Sequence, residues 1–180
     1  MGAFLLSSMV LAGSPAQAVA PSLPAYSVNL TGYNAVPSQT DGDPLITADG
    51  GPSNPSVVAA RSRDLAAELP FGTIIELDGP TGADSNNCGF DSVAPLIGYR
   101  VITDTMNARI HNTVDILFPI KANYILNDGR TINASWLLGS CKSVTIRVVG
   151  HIDLTHPDTL PTTQADLAAL VQQSSLALGK

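Results

Sequence analysis

The chain is poor in charge. Asp, Glu, Lys and Arg make up 13% of its 180 residues, about half of what soluble domains usually carry, while 44% are hydrophobic. A chain of this composition can bury a core, and bulk disorder is excluded. Basic residues are scarcer still: nine Lys and Arg stand against fifteen Asp and Glu, a formal charge of −6. That is the wrong sign for tracking a phosphate backbone, so nucleic acid is excluded as an expected partner. No apolar run approaches the roughly 20 residues that a membrane-spanning helix needs, so no transmembrane segment is expected. Only two cysteines are present, Cys88 and Cys141, far apart and without a CxxC companion, which leaves neither a redox motif nor a zinc knuckle. Also missing are a P-loop, a GxGxxG turn, an HExxH helix, a GxSxG elbow and an EF-hand loop. Nucleotide, metalloprotease and serine-hydrolase chemistry lose their usual signatures, and nothing calls for a metal or another cofactor.

The length suits one ordinary domain with tails. Residues 3–13, AFLLSSMVLAG, form a short apolar run, and Ala16 and Ala18 then supply the small-x-small pattern of a signal-peptide cleavage site. No positive charge precedes the run, the first basic residue being Arg61. The expected division is a signal peptide at 1–18, a linker at 19–30, a barrel domain at 31–155 and a helical tail at 156–180. In an exported chain a Cys88–Cys141 disulfide is the economical reading, with two separate buried thiols as the alternative. Cys88 lies in the polar stretch from Asp78 to Pro95, DGPTGADSNNCGFDSVAP, which reads as a long loop rather than a core element. A tether there is worth roughly 3–4 kcal/mol by loop entropy.

Fifteen glycines and thirteen prolines favour a turn-rich architecture of short strands. SVVAARS (56–62), GTIIEL (72–77), GYRVIT (98–103), TVDILF (113–118) and SVTIRVVG (143–150) are rich in Val and Ile and bounded by turn residues. Strands dominate the centre, so a closed barrel or sandwich is expected. Two helical patches interrupt them. RDLAAEL (63–69) stops at Pro70, and the tail after Pro161 has Thr163 and Asp166 at capping-box spacing with Leu167, Leu170 and Val171 on one face.

Carboxylates carry the remaining chemistry. Asp104 follows the strand GYRVIT, and Asp115 sits inside TVDILF eleven positions later. Alternation sets Val114 and Ile116 on one face of that strand and Asp115 with Leu117 on the other. A carboxylate so placed either faces water or occupies a partly dry cleft. In the cleft, desolvation and a neighbouring like charge would both raise its pKa, the condition for a proton donor near neutrality.

Five fragments in order resemble a known family. TGYN (31–34), LITADG (45–50), VVAARSRDLAAELPFGTIIEL (57–77), DTMNARIHNTVDILFP (104–119) and ASWLLGSCKSVTIRVV (134–149) are similar to the 3D domain. That domain is named for three aspartates and found in murein-cleaving lytic transglycosylases and stationary-phase muralytic proteins. The resemblance covers Thr31 to Val149. The three aspartates fall on Asp64, Asp104 and Asp115, with the spacing of the last two preserved. Where the family has two glycines after D-T, this chain has Met106 and Asn107, and the family's I-K-G is replaced by Arg109, Ile110 and His111. Asn107 is expected to take the left-handed backbone of the lost glycine.

The resemblance implies a mainly β fold: a six-stranded double-psi β-barrel with short helices and a C-terminal helix. It implies a secreted enzyme of the periplasm or cell wall whose partner is the glycan strand of peptidoglycan. The bond cut would be the β-1,4 link from N-acetylmuramic acid to N-acetylglucosamine, with a 1,6-anhydro product. Asp115 would be the catalytic acid and then base, Asp104 would raise its pKa or steady positive charge, and Asp64 would shape the same groove. Thr105, Asn107 and Asn112 are candidates for sugar contacts. The alternative is a non-catalytic cell-wall or carbohydrate-binding barrel.

Overall fold

A computed structural model of the chain describes residues 23–40, 42–81, 88–155 and 159–178. The segment read as a signal peptide lies outside these residues. The chain is mainly β and is built on a closed six-stranded barrel. Its strands are β1 (Ala25–Tyr33), β2 (Val58–Arg61), β3 (Thr73–Pro80), β4 (Arg100–Thr105), β5 (Thr113–Leu117) and, after a small hairpin of β6 (Asn123–Ile125) and β7 (Thr131–Asn133), β8 (Cys141–His151). The order around the barrel is β1, β5, β2, β4, β3, β8. β1 with β5 and β2 with β4 are parallel, and the other four pairings are antiparallel. Two strands thus return between earlier ones: β5 between β1 and β2, and β4 between β2 and β3. This double crossing is what the double-psi expectation describes.

The short runs of Val and Ile become strands because alternate side chains have apolar surface on both faces. All four residues of β2 are buried, and its neighbours divide between two clusters. Ala59 packs with Val28, Leu30, Ile102, Val114 and Ile116, under α1 (Phe90–Ile97) and α2 (Ala134–Leu138). Val58 and Ala60 pack with Ile74, Val101 and Leu117, under α3 (Gln164–Leu178). Thr163 Oγ1 accepts from Asp166 N at 3.2 Å, capping α3, which buries Leu167 and Val171. Gln164 fastens the helix to the barrel, its Nε2 donating to Tyr99 O at 2.7 Å and to Ser56 O at 2.6 Å.

Arg100 is fully buried, with no carboxylate partner among the described residues. Its guanidinium donates to Ile97 O at 2.6 Å and to Leu96 O at the end of α1, to Pro55 O at 2.7 Å, and to Val58 O and Leu117 O at 3.3 Å. One side chain thereby joins a helix end to β2 and β5. Burial lowers its pKa to about 10.

Three local differences from the sequence reading have physical causes. β1 begins at Ala25, so the barrel takes in half of the expected 19–30 linker, since Val28 and Leu30 are buried while Ser27 before them is exposed and Asn29 between them is half-buried. RDLAAEL makes only a 3-10 turn at Arg63–Leu65. Leu65 and Leu69 are both buried and the Leu69 carbonyl accepts from Arg61 Nε at 2.8 Å, so tertiary contacts override helix propensity. The stretch around Cys88, read as a loop, contains α1, whose Phe90, Val93 and Ile97 point into the core. Cys88 and Cys141 are disulfide-bonded, with Cα atoms 5.3 Å apart. Next to the bridge, a Cβ on Gly89 would lie 2.0 Å from Leu137 O, so α1 approaches α2 this closely only with glycine there.

Candidate active site

Four strands bring four residues into one row. Asp115 on β5 stands in register with Thr31 on β1 and with Ala60 on β2, and Ala60 in turn faces Asp104 on β4. The carboxylates are two strand spacings apart, roughly 10 Å between Cα atoms, with only a methyl group between them. A register shift brings Asp104 there: Ala59 pairs with Ile102 and Ala60 with Asp104, leaving Thr103 as the extra residue. Such a bulge re-aims the next side chain, and Asp104 opens onto the same cleft as Asp115.

That cleft has a volume of about 680 Å³, within the range of small-ligand sites. Asp115, Ala60 and Asp104 of the row form its floor. Residues 38–40 and 43–53 supply one wall, and Thr105, Met106, Asn107 and Ile110 make the other. The first wall is tied to the floor through Ala48 N, which donates to Asp104 Oδ1 at 3.1 Å, and Asp49 N, which donates to Thr103 O at 3.1 Å. Its turn passes through Gly50 at φ +90°, left-handed backbone that glycine adopts without strain.

The two carboxyl groups have different surroundings. Asp104 accepts three hydrogen bonds: from Tyr33 Oη at 2.8 Å, from its neighbour Thr105 N at 2.8 Å, and from Ala48 N. Burial and then the charge of Asp104 push the Tyr33 phenol far up, so Tyr33 serves as a donor. Among the described residues Asp115 accepts only from Thr31 Oγ1, at 2.8 Å on Oδ1. Burial raises its pKa from 3.8 to about 7; the Thr31 hydroxyl pulls it down and the charge of Asp104 adds to the rise. A carboxyl poised there exchanges its proton near neutrality, which suits general acid–base work.

Of the residues singled out in the sequence, Asp104, Asp115, Thr105 and Asn107 line the cleft. Asp64 and Asn112 do not. Asp64 sits on the 3-10 turn, where its Oδ2 accepts from Asn112 N at 2.9 Å and Oδ1 lies 3.8 Å from His111 Nδ1. Hydrogen bonds from Ser62 and from that backbone amide hold its carboxyl below the usual range. Its work is to brace the connection from β4 to β5. The left-handed position in this connection is Asn112, at φ 45°, and not Asn107. Asn107 instead makes a side-chain turn, its Oδ1 accepting from Arg109 N at 3.1 Å.

No protein-family model, curated protein or solved structure matches the chain. The site is therefore argued from its geometry. Among the described residues no three His, Cys, Asp or Glu side chains are grouped to hold a metal ion.

Sequence reasoning assigned no role to Thr31 and Tyr33. The signal was available: both stand in TGYN, two positions apart on a strand, and so share a face. The Ala48 amide carries no side-chain signal at all.

Proposed function

We propose that the chain is a peptidoglycan lytic transglycosylase, cleaving the β-1,4 bond between N-acetylmuramic acid and N-acetylglucosamine. The observation that carries this reading is Asp115: a carboxyl raised to about 7 on the floor of an open cleft, beside a second carboxylate fixed by three donors. Hydrolytic glycosidases use two carboxylates in separate roles, one protonating the leaving oxygen and one activating water or attacking the sugar. A transglycosylase needs one, because the C6 hydroxyl of the muramoyl residue is the nucleophile. Asp115 gives its proton to the glycosidic oxygen as the C1–O bond breaks. The C6 oxygen then bonds to C1, and its proton passes to the same carboxylate, which restores the acid and leaves a 1,6-anhydro ring. The negative charge of Asp104 favours the oxocarbenium-like transition state. Thr105 and Asn107 are the proposed sugar contacts. Asp64 and Asn112 support the neighbouring loop.

The same reading places the protein outside the cytoplasm, in the periplasm or cell wall. The Cys88–Cys141 bridge supports this, since structural disulfides persist in oxidising compartments. No helix among the described residues is long and apolar enough to cross a membrane.

The test is digestion of purified peptidoglycan with wild type and Asp115→Asn. Wild type should release 1,6-anhydromuropeptides and the variant none, while remaining folded. Ordinary reducing ends, or undiminished activity in the variant, would refute the assignment. One observation favours a second reading, a glycan-binding barrel without catalysis: Asp64 stands apart from the cleft that holds Asp104 and Asp115. Binding of glycan strands by wild type without any product would establish it.

A further inference from the structure

The electrostatics of the cleft restrict which glycans can enter it. Asp43, Asp104 and Asp115 all line it, and none of the described lining residues is Lys, Arg or His. The basic side chains close by do not themselves line it. Arg109, next to the rim residue Ile110, is exposed and turns its Nε to Asn107 Oδ1 at 3.3 Å. Arg61, adjacent to Ala60, donates to the Leu69 carbonyl and lies over the Phe71 ring at 5.0 Å. Arg100 is surrounded by carbonyls. The rest of the wall is neutral, hydroxyl and amide groups together with Ile46 and Ile110, which are 50% and 39% exposed. Such a lining suits an uncharged polyhydroxylated ligand with small apolar substituents.

A muramoyl residue exists in two charge states in cell walls. Its O3 lactyl carboxyl is an uncharged amide where the stem peptide is attached, and a free carboxylate where the peptide has been removed. Resting on the murein reading above, we infer that the cleft selects muramoyl residues whose lactyl group is amidated and rejects stripped strands. A free carboxylate would enter a partly dry cleft that holds the carboxylates of Asp104 and Asp43 and has no basic side chain in its lining, where like charges repel more strongly than in water. Asp43 is the rim member of this set. It is exposed, and its Oδ1 accepts from Leu45 N at 2.9 Å, a bond that asparagine can keep.

The experiment compares strands from one peptidoglycan preparation, half with stem peptides and half stripped by an amidase. Formation of anhydro ends is measured at low and high salt, and affinity is measured for tetrasaccharides with amidated or free lactyl groups. The amidated form should be favoured by about tenfold or more at low salt. The preference should shrink in high salt and in Asp43→Asn. Equal or faster handling of the stripped form overturns the inference and leaves the enzyme reading intact. A preference untouched by salt and by Asp43→Asn also overturns it, by locating the discrimination in contacts to the peptide. Discrimination in binding without anhydro product upholds the inference and overturns catalysis. Neither binding nor product overturns both.

Discussion

Tyr33 donates its hydroxyl to Asp104 at 2.8 Å, while Thr31, two residues earlier on the same strand, donates to Asp115 at the same distance. One edge of β1 therefore orients both carboxylates of the cleft. Asp104 is further held by two backbone amides, whereas Asp115 has only Thr31 among the described residues. This asymmetry leaves Asp115 Oδ2 available for a mobile proton.

Removing the Asp115 charge should stabilise the fold in a pH-dependent way. The folded carboxyl titrates near 7 and the unfolded one near 3.8, so the folded state holds the extra proton between those values and wild-type stability falls as pH rises through that window. Asp115→Asn removes the loss. Its unfolding free energy should match that of wild type near pH 4 and exceed it above about pH 7, by an upper bound on the order of 4 kcal/mol, read from denaturant titrations at each pH. A difference that is flat with pH would show that burial does not raise this carboxyl.

Thr31→Val should move the proton affinity of Asp115. The hydroxyl favours the ionised carboxyl, so its loss raises the pKa further, by about one to two units if the bond has the usual strength of one to a charged group. The basic limb of the rate–pH profile, or the carboxyl carbon resonance of Asp115 during titration, should shift upward. Thr31→Ser should restore the wild-type profile. A valine variant with an unchanged titration would remove Thr31 from the site.

Arg100→Met should cost at least about 3 kcal/mol in urea denaturation, because several carbonyls lose their donor in a dry environment. Lysine should not rescue it. A single ammonium cannot span the carbonyls of α1, β2 and β5 that the planar fork reaches. A loss below about 1 kcal/mol for either variant would mean that those carbonyls find other partners.

Replacing Cys88 and Cys141 together by alanine should lower stability by about 4 kcal/mol, the loop-entropy value for a sequence separation of 53. Chemical denaturation of oxidised wild type against the double variant measures it. Equal stabilities, or free thiols in protein from an oxidising compartment, would contradict the bridge.

The five runs of branched residues became five of the six barrel strands, because such side chains suit a pleated surface with apolar neighbours on both sides. β1 was harder to see, with polar Ser27, Asn29 and Thr31 alternating between its buried residues. α1 was concealed by Pro95 and the Gly- and Asn-rich residues before it, although Phe90, Val93 and Ile97 have helical spacing. In the site, the face of Asp115 followed from alternation alone. Asp104 could not be read in that way. Regular alternation would align it with buried Ile102, and only the extra residue at Thr103 turns it to the cleft. Bulges arise from how two distant strands pair, which no local window contains.

The interleaved strand order also governs when the barrel can close. β5 is held between β1 and β2, and β1 and β3 join only through β8, so no early stretch of chain closes by itself. Folding must wait for contacts between residues far apart in sequence, which makes it slow relative to local helix or hairpin formation. A chain emerging from the ribosome therefore stays open until Cys141–His151 is available. The row of Thr31, Asp115, Ala60 and Asp104 needs only β1, β5, β2 and β4, so over that interval the site's floor can pair as an open sheet, and what the last strand adds is closure of the barrel beneath it.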